Sequence, residues 1–161
     1  MDFPAKVRTC LWFDQNGHEA AEFYVSLLPD SRIETAVQPD PTAPPLVVEF
    51  RLAGAPYMIL NGGPMARHSE AASISVLTED QPETDRLWAA LTADGGVPGQ
   101  CGWLKDRFGL SWQIVPKALP RLLHAGDPAA SGRVHQAMMT MQKIDIAALE
   151  AAFSGPKEPK S

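Results

Sequence analysis

Hydrophobic and polar positions follow strand and helix periods in a fixed order along the first part of the chain. Apolar residues recur at three- and four-residue spacing over His18–Leu28, which predicts an amphipathic helix. Four β-rich runs bounded by turn residues surround it: Val7–Phe13, Ser31–Val37, Leu46–Leu52 and Tyr57–Leu60. This pattern predicts a β-α-β-β order, and the short run Ser31–Val37 leaves room for one more strand.

The same order recurs in the second part of the chain. A strand is predicted at Ala72–Leu77 and a helix at Glu83–Ala93, followed by a hairpin of Gln100–Leu104 and Leu110–Val115. A repeat of about 60 residues indicates an internal duplication of one supersecondary unit rather than a solenoid. Because one such half cannot bury both faces of its sheet, the two halves are expected to pair.

Beyond Val115 the pattern becomes helical, with a short helix over 116–123, a helix beginning near Asp127 and a further helical stretch over 144–153. We predict a single α+β domain over 1–161. It comprises a first module (1–64), a second module (65–116), a helical tail (117–153) and a disordered end (154–161).

Composition narrows the function classes. The 161-residue chain has a formal net charge of −5 with acids and bases interspersed, which argues against a nucleic-acid partner. No apolar run approaches the length of about 20 residues that spans a bilayer. The first residues lack the basic-then-apolar order of a signal peptide, so we expect a cytoplasmic protein with reduced thiols at Cys10 and Cys101.

Candidate ligand-binding side chains lie on the predicted strands. Gln113 is a polar residue inside an apolar strand, and it is either an anchor for a ligand or a buried amide bonded to the backbone. Trp103 either stacks on a planar ligand or packs in the hairpin or a dimer contact. Glu49 and Arg51 share one strand face, which either lines a polar cup or is exposed.

Other conspicuous residues favour structural roles. Cys101 has no local base and is expected to be a small buried apolar residue. The Asn61-Gly-Gly segment lacks the context of a dinucleotide site and is expected to form a turn. The histidines are expected to be solvated, and the methionines at 138, 139 and 141 to pack in the core or a dimer.

Four segments in order carry a resemblance to a known family: LWFDQNGHEAAEFYVSLLPDSRI, YMILNGGP, GQCGWLKDRFGLSWQIVP and AMMTMQKIDIAALEAAF. The chain resembles the PhnB-like branch of the vicinal oxygen chelate superfamily, which includes glyoxalase I, bleomycin-resistance proteins and extradiol dioxygenases. The resemblance implies two paired βαβββ modules forming a curled eight-stranded mixed sheet around a cup. It also implies a homodimer.

Metal-binding relatives use two ligands from each module, and these positions fall near Val7, Met58, Ser73 and Gln113. Of the four, Gln113 alone is a good ligand, whereas a divalent metal takes three or four N/O donors. We therefore expect no metal cofactor. The alternative is one divalent metal with Glu49 as a ligand or base.

The leading hypothesis is a homodimer that binds a small molecule without metal, in a cup lined by five residues: Gln113, Trp103, Glu49, Thr9 and Arg51. Whether it catalyses a reaction is left open. The alternative from another class is a metal-dependent lyase or dioxygenase. A third reading is the demethylubiquinone methyltransferase label that many such relatives carry, but the sequence has no glycine-rich βα turn for S-adenosylmethionine.

Overall fold

A computed structural model describes residues 5–156, which form eight strands and five helices. The chain divides into two compact units, 1–68 and 69–161, and each contains one four-stranded mixed sheet. The predicted α+β class is confirmed. No helix among residues 5–156 has both the length and the apolar character needed to cross a membrane.

The first unit has one helix and four strands, all near their predicted places. Its elements are β1 (Thr9–Phe13), α1 (Gly17–Leu27), β2 (Arg32–Val37), β3 (Val47–Leu52) and β4 (Ala55–Asn61). The strand order is β1-β4-β3-β2, with β1 parallel to β4 and the other pairs antiparallel. The turn that precedes β4 is tighter than the predicted 54–56, because Ala53 and Gly54 both take positive φ and let the strand begin at Ala55.

One face of the first sheet packs against α1. Along β3, Val48, Phe50 and Leu52 are buried, whereas the alternate residues are only half-buried. On α1, Tyr24 is fully buried within this core. Burying a large apolar side chain contributes about 1.5–3 kcal/mol, so this alternation fixes which face of the sheet carries the core.

The start of α1 is fixed by β4. The backbone N–H of Gly17 donates to Oδ1 of Asn61 at 2.8 Å, and a Cβ at Gly17 would lie 2.2 Å from Cγ2 of Ile59. Asn16 makes no side-chain cap hydrogen bond, so the distant Asn61 satisfies this free N–H instead. The helix therefore begins one residue earlier than the periodicity predicts.

The second unit repeats the arrangement of the first. Its elements are β5 (Ile74–Thr78), α2 (Gln81–Thr92), β6 (Val97–Pro98), β7 (Trp103–Lys105) and β8 (Ser111–Pro116). The order β5-β8-β7-β6 again makes the first strand parallel to the last, which confirms the predicted duplication. The short edge strand β6 is the additional strand for which the sequence left room, and Pro98 limits its pairing because proline has no N–H.

Three helices complete the second unit: α3 (Ala118–Leu123), α4 (Pro128–Met139) and α5 (Ile146–Ser154). They enclose their own core, whose buried members are Leu119, Leu122, Val134, Ile144 and Leu149. The side-chain amide of Gln81 ties them to α2, because Nε2 donates to the Ile144 carbonyl at 3.0 Å and Oε1 accepts from the Ile146 N–H at 2.9 Å.

The end that the sequence predicts to be disordered spans 154–161. Ser154 closes α5 instead, and residues 157–161 lie outside the described residues.

Candidate functional site

The first sheet bears a charged network on the face opposite α1, formed by Arg8, Glu34, Glu49 and Arg51. Glu34 is the shared acceptor: Nη2 of Arg8 lies 2.5 Å from its Oε2, and Nε of Arg51 lies 2.7 Å from its Oε1. Glu49 accepts from Thr35 Oγ1 at 2.9 Å and lies 3.4 Å from Nε of Arg8. Glu49 and Arg51 share a face as predicted, but they face protein partners.

A β-bulge brings Glu34 into this network. The β2–β3 register shifts between Ile33 and Thr35, so Glu34 has no residue opposite it. An extra residue in one strand changes the alternation of faces, which lets Glu34 and Thr35 both reach the charged side. The hydrogen bond from Arg8, followed by that from Arg51, lowers the pKa of Glu34. A carboxylate held ionised in this way is a poor general base near neutral pH.

Arg8 joins the strands of the first unit. Its Nη1 donates to the carbonyl oxygens of Tyr57 at 3.2 Å and Phe50 at 3.5 Å, and its side chain is 7% exposed. The guanidinium therefore contacts β2, β3 and β4 at once. Sequence reasoning missed both Arg8 and Glu34, because no local pattern reveals partners so far apart in the chain.

Thr9 lies on the other side of the same sheet. It pairs with Tyr57 in the β1–β4 register, and it has the same parity as the buried residues Leu11 and Phe13 of β1. The structure thus separates Thr9 from Glu49 and Arg51, with which it was expected to line a cup. A ligand-binding role for Thr9 stays a prediction.

In the second unit two of the predicted ligand-binding residues, Trp103 and Gln113, are brought together. The two residues lie directly opposite each other in the β7–β8 register, on the face away from α2. Nε2 of Gln113 donates to Oγ of Ser73 at 2.9 Å. The Gln113 amide therefore has a side-chain partner rather than the expected backbone partner, and a ligand-binding role for Gln113 stays a prediction.

The strand registers identify which residues of the two units correspond. Ser73 comes two residues before Ser75, which pairs with Gln113. In the first unit, Cys10 pairs with Met58 as Ser75 pairs with Gln113 in the second, so Met58 corresponds to Gln113. The residue two positions before Cys10 therefore corresponds to Ser73. That residue is Arg8, one position later than the Val7 expected from the family pattern.

These residues do not fit a divalent metal in either unit. A guanidinium has no lone pair to donate, and the thioether of Met58 is a weak acceptor. Ser73 and Gln113 are hydrogen-bonded to each other. Of the Glu49 carboxylate oxygens, Oε2 accepts from Thr35 and Oε1 is paired with Arg8. Within residues 5–156 no group of three or more His, Cys, Asp or Glu converges to hold a metal.

A concave site of about 410 Å³ lies on the open face of the second sheet, beside β6 and β7. We call it the second-unit recess, and its lining includes Glu70, Val97, Pro98, Trp103, Lys105 and Ser111. Its volume falls in the range of small-molecule pockets. Of the predicted site residues, Trp103 lines it, whereas Gln113 lies beside it across the hairpin.

Ser111 is the unusual polar residue of the second-unit recess. It is 1% exposed, and its Oγ has no hydrogen-bond partner within residues 5–156. A buried hydroxyl without a partner costs free energy, so its presence needs a reason. Ser111 shares strand parity with Gln113, and this alternation is the sequence signal that identifies it.

The turn of the β7–β8 hairpin holds Ser111 in place. Oδ1 of Asp106 accepts from the N–H groups of Phe108 at 2.8 Å and Leu110 at 3.0 Å, and its Oδ2 accepts from Nε1 of Trp112 at 2.9 Å. Asp106 is itself buried. The loop 105–109 between the two predicted hairpin strands is therefore a hydrogen-bonded turn that holds β8 in register with β7.

In another part of the recess wall, the backbone at Gly99 lies close to the backbone at Trp103. The N–H of Gly99 donates to the Trp103 carbonyl at 2.8 Å, and a Cβ at Gly99 would lie 2.7 Å from that oxygen. Cys101, two positions after Gly99, is half-buried rather than buried, and its Sγ lies 3.7 Å from Sδ of Met139. Both Cys10 and Cys101 are free thiols, as predicted.

The asparagine–glycine–glycine turn has a packing role. A Cβ at Gly62 would lie 2.4 Å from the Trp12 indole, whose Nε1 donates to the Gly63 carbonyl at 2.8 Å. Gly63 also takes a positive φ of 89°. This geometry agrees with the turn expected from the sequence.

Comparison with known proteins identifies the family of this chain. The profile of a family described as 3-demethylubiquinone-9 3-methyltransferase matches residues 5–115. The chain belongs to this family. It is the PhnB-like family that the sequence resembles, since a solved relative with the same description is named PhnB. Residues 116–161, which include helices α3 to α5, lie beyond the match.

Solved structures show the same fold. The PhnB protein of Bacillus cereus, whose description carries the same family name, is 26% identical with a TM-score of 0.65, covering 70% of this chain and 99% of that one. Protein PA1353 from Pseudomonas aeruginosa is 20% identical with a TM-score of 0.58, covering 70% and 97%.

A glyoxalase/bleomycin resistance protein from Albidiferax ferrireducens T118 is 17% identical with a TM-score of 0.48, covering 68% and 96%. No protein of curated function matches the chain.

Proposed function

We propose that this protein binds a small molecule in the second-unit recess and that binding needs no divalent metal. The observation that carries the proposal is the unpartnered Ser111 hydroxyl beside the half-buried indole of Trp103. Pockets for small molecules combine apolar and aromatic walls with a few placed polar groups. A ligand acceptor at Ser111 would offset the cost of its burial.

The donor chemistry supports binding without metal. In the first unit, the guanidinium of Arg8 and the thioether of Met58 occupy the positions that correspond to Ser73 and Gln113. A cationic group repels a second cation, and Arg8 is fixed by its ion pairs with Glu34 and Glu49. A metal-dependent lyase or dioxygenase would need a different donor set.

Nothing in the strand-to-helix turns favours methyl transfer, despite the family's description. The β1–α1 turn leads into Gly17, whose free space is filled by Ile59 and Asn61. At the β5–α2 turn, Asp80 caps the helix by accepting from the Glu83 N–H at 2.9 Å. Neither turn has the glycine-rich form that cradles a nucleotide-like cofactor.

We also propose that two copies associate. The resemblance to superfamily members motivates this, and strand β2 offers an edge of its sheet with Ile33 38% and Val37 50% exposed. A free edge strand can pair with another chain through its backbone N–H and C=O groups. Light scattering over a range of concentrations should give twice the 17.4 kDa chain mass, and a constant monomer mass would contradict association.

The binding proposal is tested with two planar probes, 2-naphthoate and 2-naphthamide, by titration calorimetry before and after treatment with a chelator. We expect at least one probe to bind, and chelation to leave its affinity unchanged. Trp103→Leu should weaken binding about tenfold, while Trp88→Leu, a matched change on α2, should not. Binding that is insensitive to Trp103→Leu, or that requires added Mn or Zn, would overturn the proposal.

A further inference from the structure

The second-unit recess contains an exposed ion pair whose carboxylate can be replaced by another anion. Nζ of Lys105 lies 2.9 Å from Oε1 of Glu70, and the two side chains are 45% and 72% exposed. Exposed pairs of this kind contribute little to stability, because water and salt screen them and two long side chains lose freedom. A competing anion can therefore replace Glu70 at Lys105 at small cost.

The unpartnered hydroxyl lies next to this lysine. Lys105 and Ser111 are directly opposite in the β7–β8 register, where Cβ atoms are typically about 4.5–5.5 Å apart. Lys105 supplies three donors, and Ser111 supplies one more that has no acceptor among the described residues 5–156. Two neighbouring donors, one of them charged, match the two oxygens of a carboxylate.

The rest of the lining is suited to a flat apolar body. Val97 and Pro98 of β6 and the indole of Trp103 line the same recess. An indole offers a large rigid surface, and aromatic rings pack on it in offset or edge-to-face arrangements. The volume of about 410 Å³ leaves room for one or two fused rings.

We infer that the second-unit recess selects planar aromatic carboxylates, an inference that rests on the proposed binding function. The ligand carboxylate replaces Glu70 at Lys105 and accepts a hydrogen bond from Ser111, while the ring lies against Trp103. Because the Ser111 hydroxyl is shielded from solvent in the free protein, this binding mode requires a side-chain movement that opens the hydroxyl to the ligand.

If a ligand carboxylate replaces Glu70 at Lys105, substitutions of these two residues should change the affinity for the acid in opposite directions. Lys105→Met should weaken 2-naphthoate about tenfold and leave 2-naphthamide unchanged, because the amide carries no charge. Glu70→Gln should tighten 2-naphthoate about two- to fivefold, since it removes the competing carboxylate. Lys117→Met is the matched control, because Lys117 forms an exposed pair with Glu79 outside the recess and should leave both affinities unchanged.

Titration calorimetry of the full chain with both probes, at low and raised salt, tests the inference. The expected result is at least tenfold preference for the acid, a preference that salt reduces and Glu70→Gln increases. Equal affinities for acid and amide, both lost in Trp103→Leu, would overturn the carboxylate inference and leave the binding function standing. Failure of both probes to bind would overturn the binding function as well.

Discussion

Replacing Ser111 with alanine should stabilise the free protein while weakening its binding of an aromatic acid. The hydroxyl is buried, with no hydrogen-bond partner among residues 5–156. A buried polar group left unpaired destabilises the folded state by about 1–3 kcal/mol, and the substitution removes this cost. The small void that replaces the oxygen is itself destabilising and offsets part of the gain. We expect a net gain of about 1 kcal/mol, which for a chain of 161 residues raises Tm by about 2–4 °C.

Urea and thermal unfolding of the parent and the variant measure this gain. Ser75→Ala is the matched control, because Ser75 lies exposed on the same sheet face and its loss should change stability by no more than about 0.5 kcal/mol. The variant should also bind 2-naphthoate about three- to tenfold more weakly. If Ser111→Ala lowers stability by about 1 kcal/mol or more, the hydroxyl has a stabilising partner and the recess loses its polar anchor.

Three further predictions concern stability. Since Arg8 and then Arg51 lower the folded-state pKa of Glu34, its stabilisation is present above the unfolded value of about 4.3 and is lost as pH falls through the folded pKa. Glu34→Gln should therefore be less stable than the parent at pH 7, with a gap in urea midpoint that narrows below about pH 4; a pH-independent gap would contradict this. Asp106→Ala should cost about 1–3 kcal/mol in urea unfolding by removing the hydrogen bonds that Asp106 accepts from the Trp112 indole and the hairpin backbone, and an unchanged midpoint would refute that role. Exhaustive chelation should leave Tm unchanged, and a fall reversed by one divalent ion would contradict metal-free folding.

Much of the fold could be predicted from local pattern. The helix faces, the strand runs and the duplication follow from periods of 3.6 and 2 residues, which neighbouring positions carry within themselves. The same alternation placed Glu49 and Arg51 on one face of their strand, as the structure confirms. That grouping required only strand parity, and the predicted hairpin of the second unit is confirmed as well.

The sequence by itself therefore determined the elements and which residues share a strand face, while the tertiary structure decided what each polar side chain meets. The β-bulge in β2 shifts which side chains lie on each sheet face, and this lets Glu34 contact Arg8. The pairing of β1 with β4 places Thr9 on the sheet face that packs against α1. Ser111 has no hydrogen-bond partner among residues 5–156, although it lies on a strand that the Asp106 turn holds in register. Hydrogen bonds join residues far apart in the chain, so their presence or absence depends on register and packing, which local periodicity does not encode.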